Sequence, residues 1–393
     1  MNKYIFLPLL ALAMLMTGCK SEPDYGSAIF ITGTLQSQSM TFPIDGQSEM
    51  SLTVTSTDVA LADTKVSVAV APELIDEFNR TTRRSCQVPP SESYQIEGAD
   101  AVIKAGRAQS TQIKLKANAS SLQDGVSYCL PITIKQPSGS MQILETSRTA
   151  YIMFKKVIHT KVAVLNGSSA FDIKPFWDEA TSPVKALNQL TLEMKVCPTG
   201  LSDGKGISSI FGCEENFLFR FGDGASIAGN QLSLAKASIG QPAHPNSKNH
   251  YDMKFDRTFE NNEWFHLACT YDGIYLRIYI NGTLANSIET KGGTINLSTA
   301  YDGYEWNKDG FAIGRSAGYS RFFKGYISEC RVWSVPRTMS QIQDGMDYVD
   351  PKSEGLLAYW RFNGETQPDG TIRDETGHGY DATPYGKISY IDN

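Results

Sequence analysis

The chain has 393 residues, with 36 basic and 42 acidic side chains and a formal charge of −6. An acidic balance without any run of lysine or arginine argues against nucleic acid as the partner. The length allows two or three domains. Beyond the first residues no apolar stretch reaches membrane-spanning length.

The chain opens Met1-Asn2-Lys3, followed by an apolar run from Tyr4 to Met16 that Pro8 breaks once. The run is too short and too close to the terminus for a spanning helix, so it reads as an export signal. It ends Met16-Thr17-Gly18-Cys19. Small residues before a cysteine are what a lipoprotein peptidase needs beside an acylated thiol, although leucine is usual where Met16 stands. Residues 1–19 are therefore expected to be a lipoprotein signal peptide, with Cys19 lipidated and residues 20–26 a polar linker. The alternative is an ordinary signal peptide with a chance cysteine. Each buried CH₂ of the acyl chains would contribute about 0.8 kcal/mol of membrane anchoring. Glu22 and Asp24 just after the cysteine resemble the surface-export signal of Bacteroidetes lipoproteins. That resemblance implies an outer-membrane, lipid-anchored, cell-surface-exposed protein.

Past the linker, apolar and polar residues alternate with period two, as in Met50 to Thr55, Lys65 to Val70 and Ser110 to Leu115. Short alternating runs between Gly, Pro, Asn and Asp clusters predict an all-β chain. Two segments predict short helices: Pro72 to Asn79, with acids in its first turn, and Met339 to Met346, opening after Pro336 with Thr338 as cap. A boundary is expected near Lys155 to Thr160, because all five tryptophans follow it. Each side has the size of one β-sandwich. Residues 27–157 form the first domain, with Tyr94 and Ile96 sharing a strand face and Gly106 supplying a tight turn. Pro131 interrupts the good strand Tyr128 to Ile134, which places it at an edge or bulge. This layout resembles the N-terminal domain of unknown function found in Bacteroidetes surface lipoproteins, which implies an immunoglobulin-like sandwich serving as a spacer. A second carbohydrate site on this domain is the functional alternative.

From residue 158 the pattern sharpens. Leu190 to Val196 and Phe217 to Phe221 are strands, and Asn281-Gly282 between Leu276 to Ile280 and Thr283 to Ser287 marks a hairpin. The series W-F-H-L-A-C-T-Y-D-G from Trp264, L-R-I-Y-I-N-G from Leu276, F-A-I-G-R from Phe311 and F-K-G-Y-I-S-E-C-R-V-W from Phe323 resembles the laminin-G-like, concanavalin-A-like jelly roll. The resemblance implies a jelly roll over residues 158–345, with residues 346–393 completing or flanking it. The expected fold is thus all-β: an immunoglobulin-like β-sandwich followed by a concanavalin-A-like jelly-roll sandwich.

The family includes glycosidases, but retaining enzymes need two carboxylates about 5–5.5 Å apart. No strand carries a fitting pair, and adjacent Glu214-Glu215 would point to opposite faces. His266 lies in a structural strand and reads as a half-buried packing histidine; His244, His250 and Asp252 read as a solvated loop. No catalytic residue is expected. The chain therefore reads as a non-catalytic binder of a glycan or polysaccharide, acting with other outer-membrane uptake proteins; a protein-binding adhesin or a glycosidase with an unrecognised site are the alternatives. Sugars stack on exposed aromatics in sandwich loops. Such loops hold Tyr301, Asp302, Tyr304 and Trp306, then Trp177, then Tyr319, Arg321 and Phe322, whereas Trp264, Trp333 and Trp360 fall in strand motifs and read as core. Calcium is implied only by the laminin-G-like resemblance, with Asp223, Asp302 and Asp309 as oxygen ligands. Cys86, Cys129, Cys197, Cys213, Cys269 and Cys330 leave disulfides and buried thiols both open.

Overall fold

The computed structural model describes residues 27–135, 137, 141–177, 181–204, 206–214, 216–224, 226–240, 250–299 and 310–393. Cys19 and the linker fall outside them. The chain is all-β, in two sandwiches. In the first, a five-stranded sheet runs in the spatial order Ser39–Ile44, Thr149–Lys156, Tyr128–Ile134, Thr64–Val70, Asp100–Ile103. Two three-stranded sheets complete it. Alternate apolar residues such as Val66, Val68, Leu115, Leu130 and Ile152 meet in the space between. Tyr94 and Ile96 pack on this core from one face of their strand.

Pro131 is not at an edge. Its strand is central and fully buried. The Pro131 carbonyl accepts from Ala71 N at 2.9 Å, so the missing N–H faces the side on which strand Thr64–Val70 has just ended. No ladder bond is lost there, and the proline is tolerated. The chain beyond Ala71 turns into a 3₁₀ turn, Pro72–Leu74, and a helix, Ile75–Thr82, where the acids predict it.

In the second sandwich, one sheet runs Thr283–Glu289, Tyr275–Ile280, Phe265–Tyr271, Leu190–Pro198, Lys324–Trp333, Lys161–Asn166, Ser389–Asp392, with Leu356–Trp360 also on Lys324–Trp333. The facing sheet runs His250–Thr258, Ile227–Ser238, Phe217–Asp223, Ser208–Cys213, Ala312–Ile313, Ala170–Asp172, Thr383–Tyr385. Tail strands therefore pair into both sheets. Asn281 and Gly282 both adopt positive φ, 50° and 71°, as the hairpin demands. The core is rich in phenylalanine, with Phe171, Phe211, Phe217, Phe219 and Phe221 fully enclosed.

Two expected placements change. Trp264 is half-buried at a strand start, with Lys195 Nζ 5.7 Å above its ring, because its side chain leaves the sandwich on the outer side. His266 is fully rather than half-buried, because a segment from Pro336 to Val349 covers that outer face of the sheet. Trp360 does sit in the core, donating Nε1 to Tyr380 O at 2.7 Å. The six cysteines Cys86, Cys129, Cys197, Cys213, Cys269 and Cys330 are buried free thiols.

Candidate ligand-binding face

Phe217, Phe219 and Phe221 turn into the core, so period-two geometry turns Leu218 and Arg220 outward. By the same alternation Phe171 points in and Asp172 out. The outer face of this sheet consequently carries charge. Asp172 Oδ1 accepts from Arg315 Nε at 2.8 Å, and Asp172 Oδ2 accepts from the Tyr319 hydroxyl at 3.0 Å. The Arg315 guanidinium lies 3.7 Å from the centroid of the Tyr319 ring and 5.8 Å from that of Trp177. Tyr319 leans on Tyr385 at 4.4 Å, and Tyr385 stacks on Phe322 at 6.0 Å and 10°. Tyr319 and Tyr385 are 38% and 41% exposed, so this aromatic shelf faces solvent.

The backbone beneath the shelf is strained. Ala317, Gly318, Tyr319 and Arg321 have φ of 50°, 64°, 61° and 52°. Left-handed non-glycine residues cost of order 1–3 kcal/mol each and persist where surroundings enforce them, often at binding sites. Here Ser316 and Ser320 exchange backbone hydrogen bonds at 3.2 and 3.1 Å, and Ser209 N donates to Arg321 O at 2.8 Å.

A chain of alternating charge runs alongside. Arg321 Nη1 lies 2.7 Å from Glu214 Oε1, Arg220 Nη1 is 3.9 Å from the same oxygen, and Arg220 Nη2 is 2.9 Å from Asp223 Oδ1. Its ends are partly exposed and its middle is sealed: Glu214 and Arg220 side chains keep 2% and 7% exposure. Among the described residues, Glu214 Oε2 and Arg220 Nε have no hydrogen-bond partner.

Among the expected residues, Trp177, Tyr319 and Arg321 come together on this face. Trp177 is half-buried and donates Nε1 to Phe311 O at 2.9 Å, so it walls the shelf. Tyr301, Asp302, Tyr304, Trp306 and Asp309 lie outside the described residues, as do His244 and Glu215. Asp223 pairs with Arg220 and accepts from Ser226 Oγ at 3.1 Å. Among the described residues no three His, Cys, Asp or Glu side chains converge as metal ligands. Sequence reasoning missed Asp172, Arg315 and Tyr385. The only available signal for Tyr385 was an aromatic in the tail, since the pairing of Ala170 with Tyr385 is what delivers it.

The opposite sheet carries a second polar centre. Glu193 lies 2.7 Å from Arg337, 3.3 Å from Arg331 and 3.3 Å from His266 Nε2. Burial alone would raise Glu193, but Arg337, His266 and Arg331 outweigh it and hold its carboxyl well below the usual range. Burial pushes His266 down, keeping it neutral. These groups are sealed under the covering segment, so they brace the fold. A cavity of about 380 Å³ between the domains is lined by Arg84, Lys155, Asp344 and Asp347, whose charges are already paired.

Residues 178–343 match the family model of the concanavalin A-like lectin/glucanases superfamily, and residues 25–141 match one for an N-terminal domain. A stretch of 92 residues is 33% identical to pappalysin-1 of Mus musculus and 32% to that of Homo sapiens. It covers 23% of this chain and 5% of either relative, so the chain spans a small part of their length. A solved structure from Bacteroides ovatus, provisionally described as a carbohydrate binding protein, is 24% identical and covers 93% of this chain and 97% of its own, with a TM-score of 0.53. At that identity the likeness concerns the two-domain fold.

Proposed function

We propose, from a chain whose residues 178–343 belong to the concanavalin A-like lectin/glucanases superfamily, that it is a non-catalytic glycan-binding protein held at the bacterial surface by a lipid on Cys19. The observation that carries the reading is the solvent-facing shelf of Tyr319, Tyr385 and Phe322, set on a strained backbone beside Arg321. Sugar rings offer flat C–H faces to aromatics and hydroxyls to guanidinium and carboxylate groups. Paired, sealed acids on both sheets support binding without hydrolysis, since neither centre offers a free general acid beside a nucleophile. Carbohydrate binding described for the Bacteroides ovatus relative agrees with this. A role beside a polysaccharide importer, and a calcium ion, extend the same reading.

A glycan array probed with the detergent-solubilised chain tests it. Binding should appear, and Tyr319→Ala or Tyr385→Ala should weaken it by up to about tenfold, since a lost stacking contact of about 0.5–1.5 kcal/mol corresponds to roughly two- to tenfold. Trp306→Ala is expected to weaken it too. An array without any signal would remove the reading. Incorporation of labelled fatty acid that Cys19→Ala abolishes tests the anchor.

A further inference from the structure

We infer that the ligand of this face is an uncharged glycan, because the three arginines of the shelf and of the charge chain beside it are each already matched by a carboxylate. The inference rests on the glycan-binding reading and narrows its ligand. Arg315 pairs with Asp172, Arg321 with Glu214 and Arg220 with Asp223. An acidic sugar approaching the partly exposed Arg321 would compete with Glu214 for the guanidinium. Glu214 cannot turn to water, since its side chain is 2% exposed. Displacing it would leave a sealed carboxylate with Arg220 at 3.9 Å as its remaining cation and a second anion nearby. A hydroxyl meets no such conflict. It accepts from an Arg321 N–H that Glu214 does not use, since a guanidinium has five donors, and a separate hydroxyl of the glycan donates to the partly exposed Asp223 at the other end of the chain. Tyr319 and Tyr385 hold the ring through its C–H face, an interaction that needs no charge.

The two ends of the charged chain serve as hydrogen-bonding groups of fixed geometry. Glu214 is a positioning residue: it keeps Arg321 in one rotamer and cancels its charge. Glu214→Gln would keep shape and release a positive charge at the surface.

The test compares neutral glycans with matched uronate-bearing, sialylated and sulfated ones on the detergent-solubilised full chain, then follows affinity from about 50 to about 500 mM salt. Neutral glycans should bind, with affinity changing less than about twofold across that range, because no net charge is engaged. Glu214→Gln should shift the acidic-to-neutral preference at least fivefold toward acidic glycans, with Arg321→Gln, at the exposed end, abolishing that shift in the double variant. Preference for acidic glycans that falls more than tenfold with salt would overturn the inference and leave the glycan reading intact. An unchanged preference in a folded Glu214→Gln protein would also overturn it. If Glu214→Gln fails to fold, Arg321→Gln decides alone: weaker neutral binding supports the inference, and unaltered binding overturns it. Failure of the wild-type chain to bind any glycan would instead remove the reading beneath.

Discussion

Glu193 shows how a single side chain organises this sandwich. It sits on a central strand with no exposure and faces two guanidinium groups and one imidazole. Arg331 is itself buried and divides its donors among Glu193, Glu329 and the Gly345 carbonyl. Removing one member of such a group leaves unpaired buried charge, which costs about 3–5 kcal/mol. Glu193→Ala should therefore lower unfolding free energy by that amount in a denaturant titration, while glycan binding of the folded fraction stays unchanged. A loss below 1 kcal/mol, the scale of an exposed pair, would show that water reaches the centre.

At the scale of elements, the segment after Pro336 does more than link strands. Its helix Met339–Asp344 opens with a capping box in which the Thr338 side chain accepts from Gln341 N and Gln341 reaches back to Thr338 N. Thr338→Ala should cost about 1 kcal/mol, read from the thermal transition. The helix then meets the first domain: Ser340 Oγ donates to Thr82 O at 3.1 Å, and Arg84 pairs with Asp344. This cap was legible in the sequence because a cap and its box partner lie three residues apart. Strand identities were legible for the same local reason, as at Leu190 to Val196. What was not legible depends on long-range pairing. Tyr385 reaches Tyr319 only through a strand at the chain's end, and His266 is sealed only because Pro336 to Val349 folds back across it. Pro131 misled because its consequence depends on where the neighbouring strand stops. Of the candidate residues, Trp177, Tyr319 and Arg321 share a face, yet Asp172, which bonds Tyr319, and Glu214, which pairs with Arg321, lie 147 and 107 residues from those partners in the chain.

For the whole molecule, the covering segment acts as a clasp between the sandwiches. Asp347 lies 2.7 Å from Lys155 of the first domain and 2.7 Å from Lys195 of the second. Gly125, at φ 77°, sits against the Tyr348 ring, where an added Cβ would come within 2.6 Å. Gly125→Ala should thus loosen the docking through both strain and contact. Acid should do the same by another route. Burial alone would raise Asp347, but Lys195 and Lys155 outweigh it and hold its carboxyl below the ordinary value. A depressed folded-state value means that the contribution is present above about pH 4, the unfolded value, and is lost as pH falls below it. Asp344 has the opposite sign: burial raises it more than Arg84 lowers it, so its protonation in mild acid slightly favours the docked form. The prediction is a clasp that holds while Asp344 titrates and releases only once Asp347 is protonated. Small-angle scattering should show a constant radius of gyration from neutral pH down to about pH 4, then expansion below it. Asp347→Asn should expand the particle already at neutral pH, and Asp344→Asn should not reproduce that expansion. Equal radii for wild type and Asp347→Asn at neutral pH would mean that packing around Gly125 and Tyr348, not the lysine–aspartate tie, holds the second sandwich against the first.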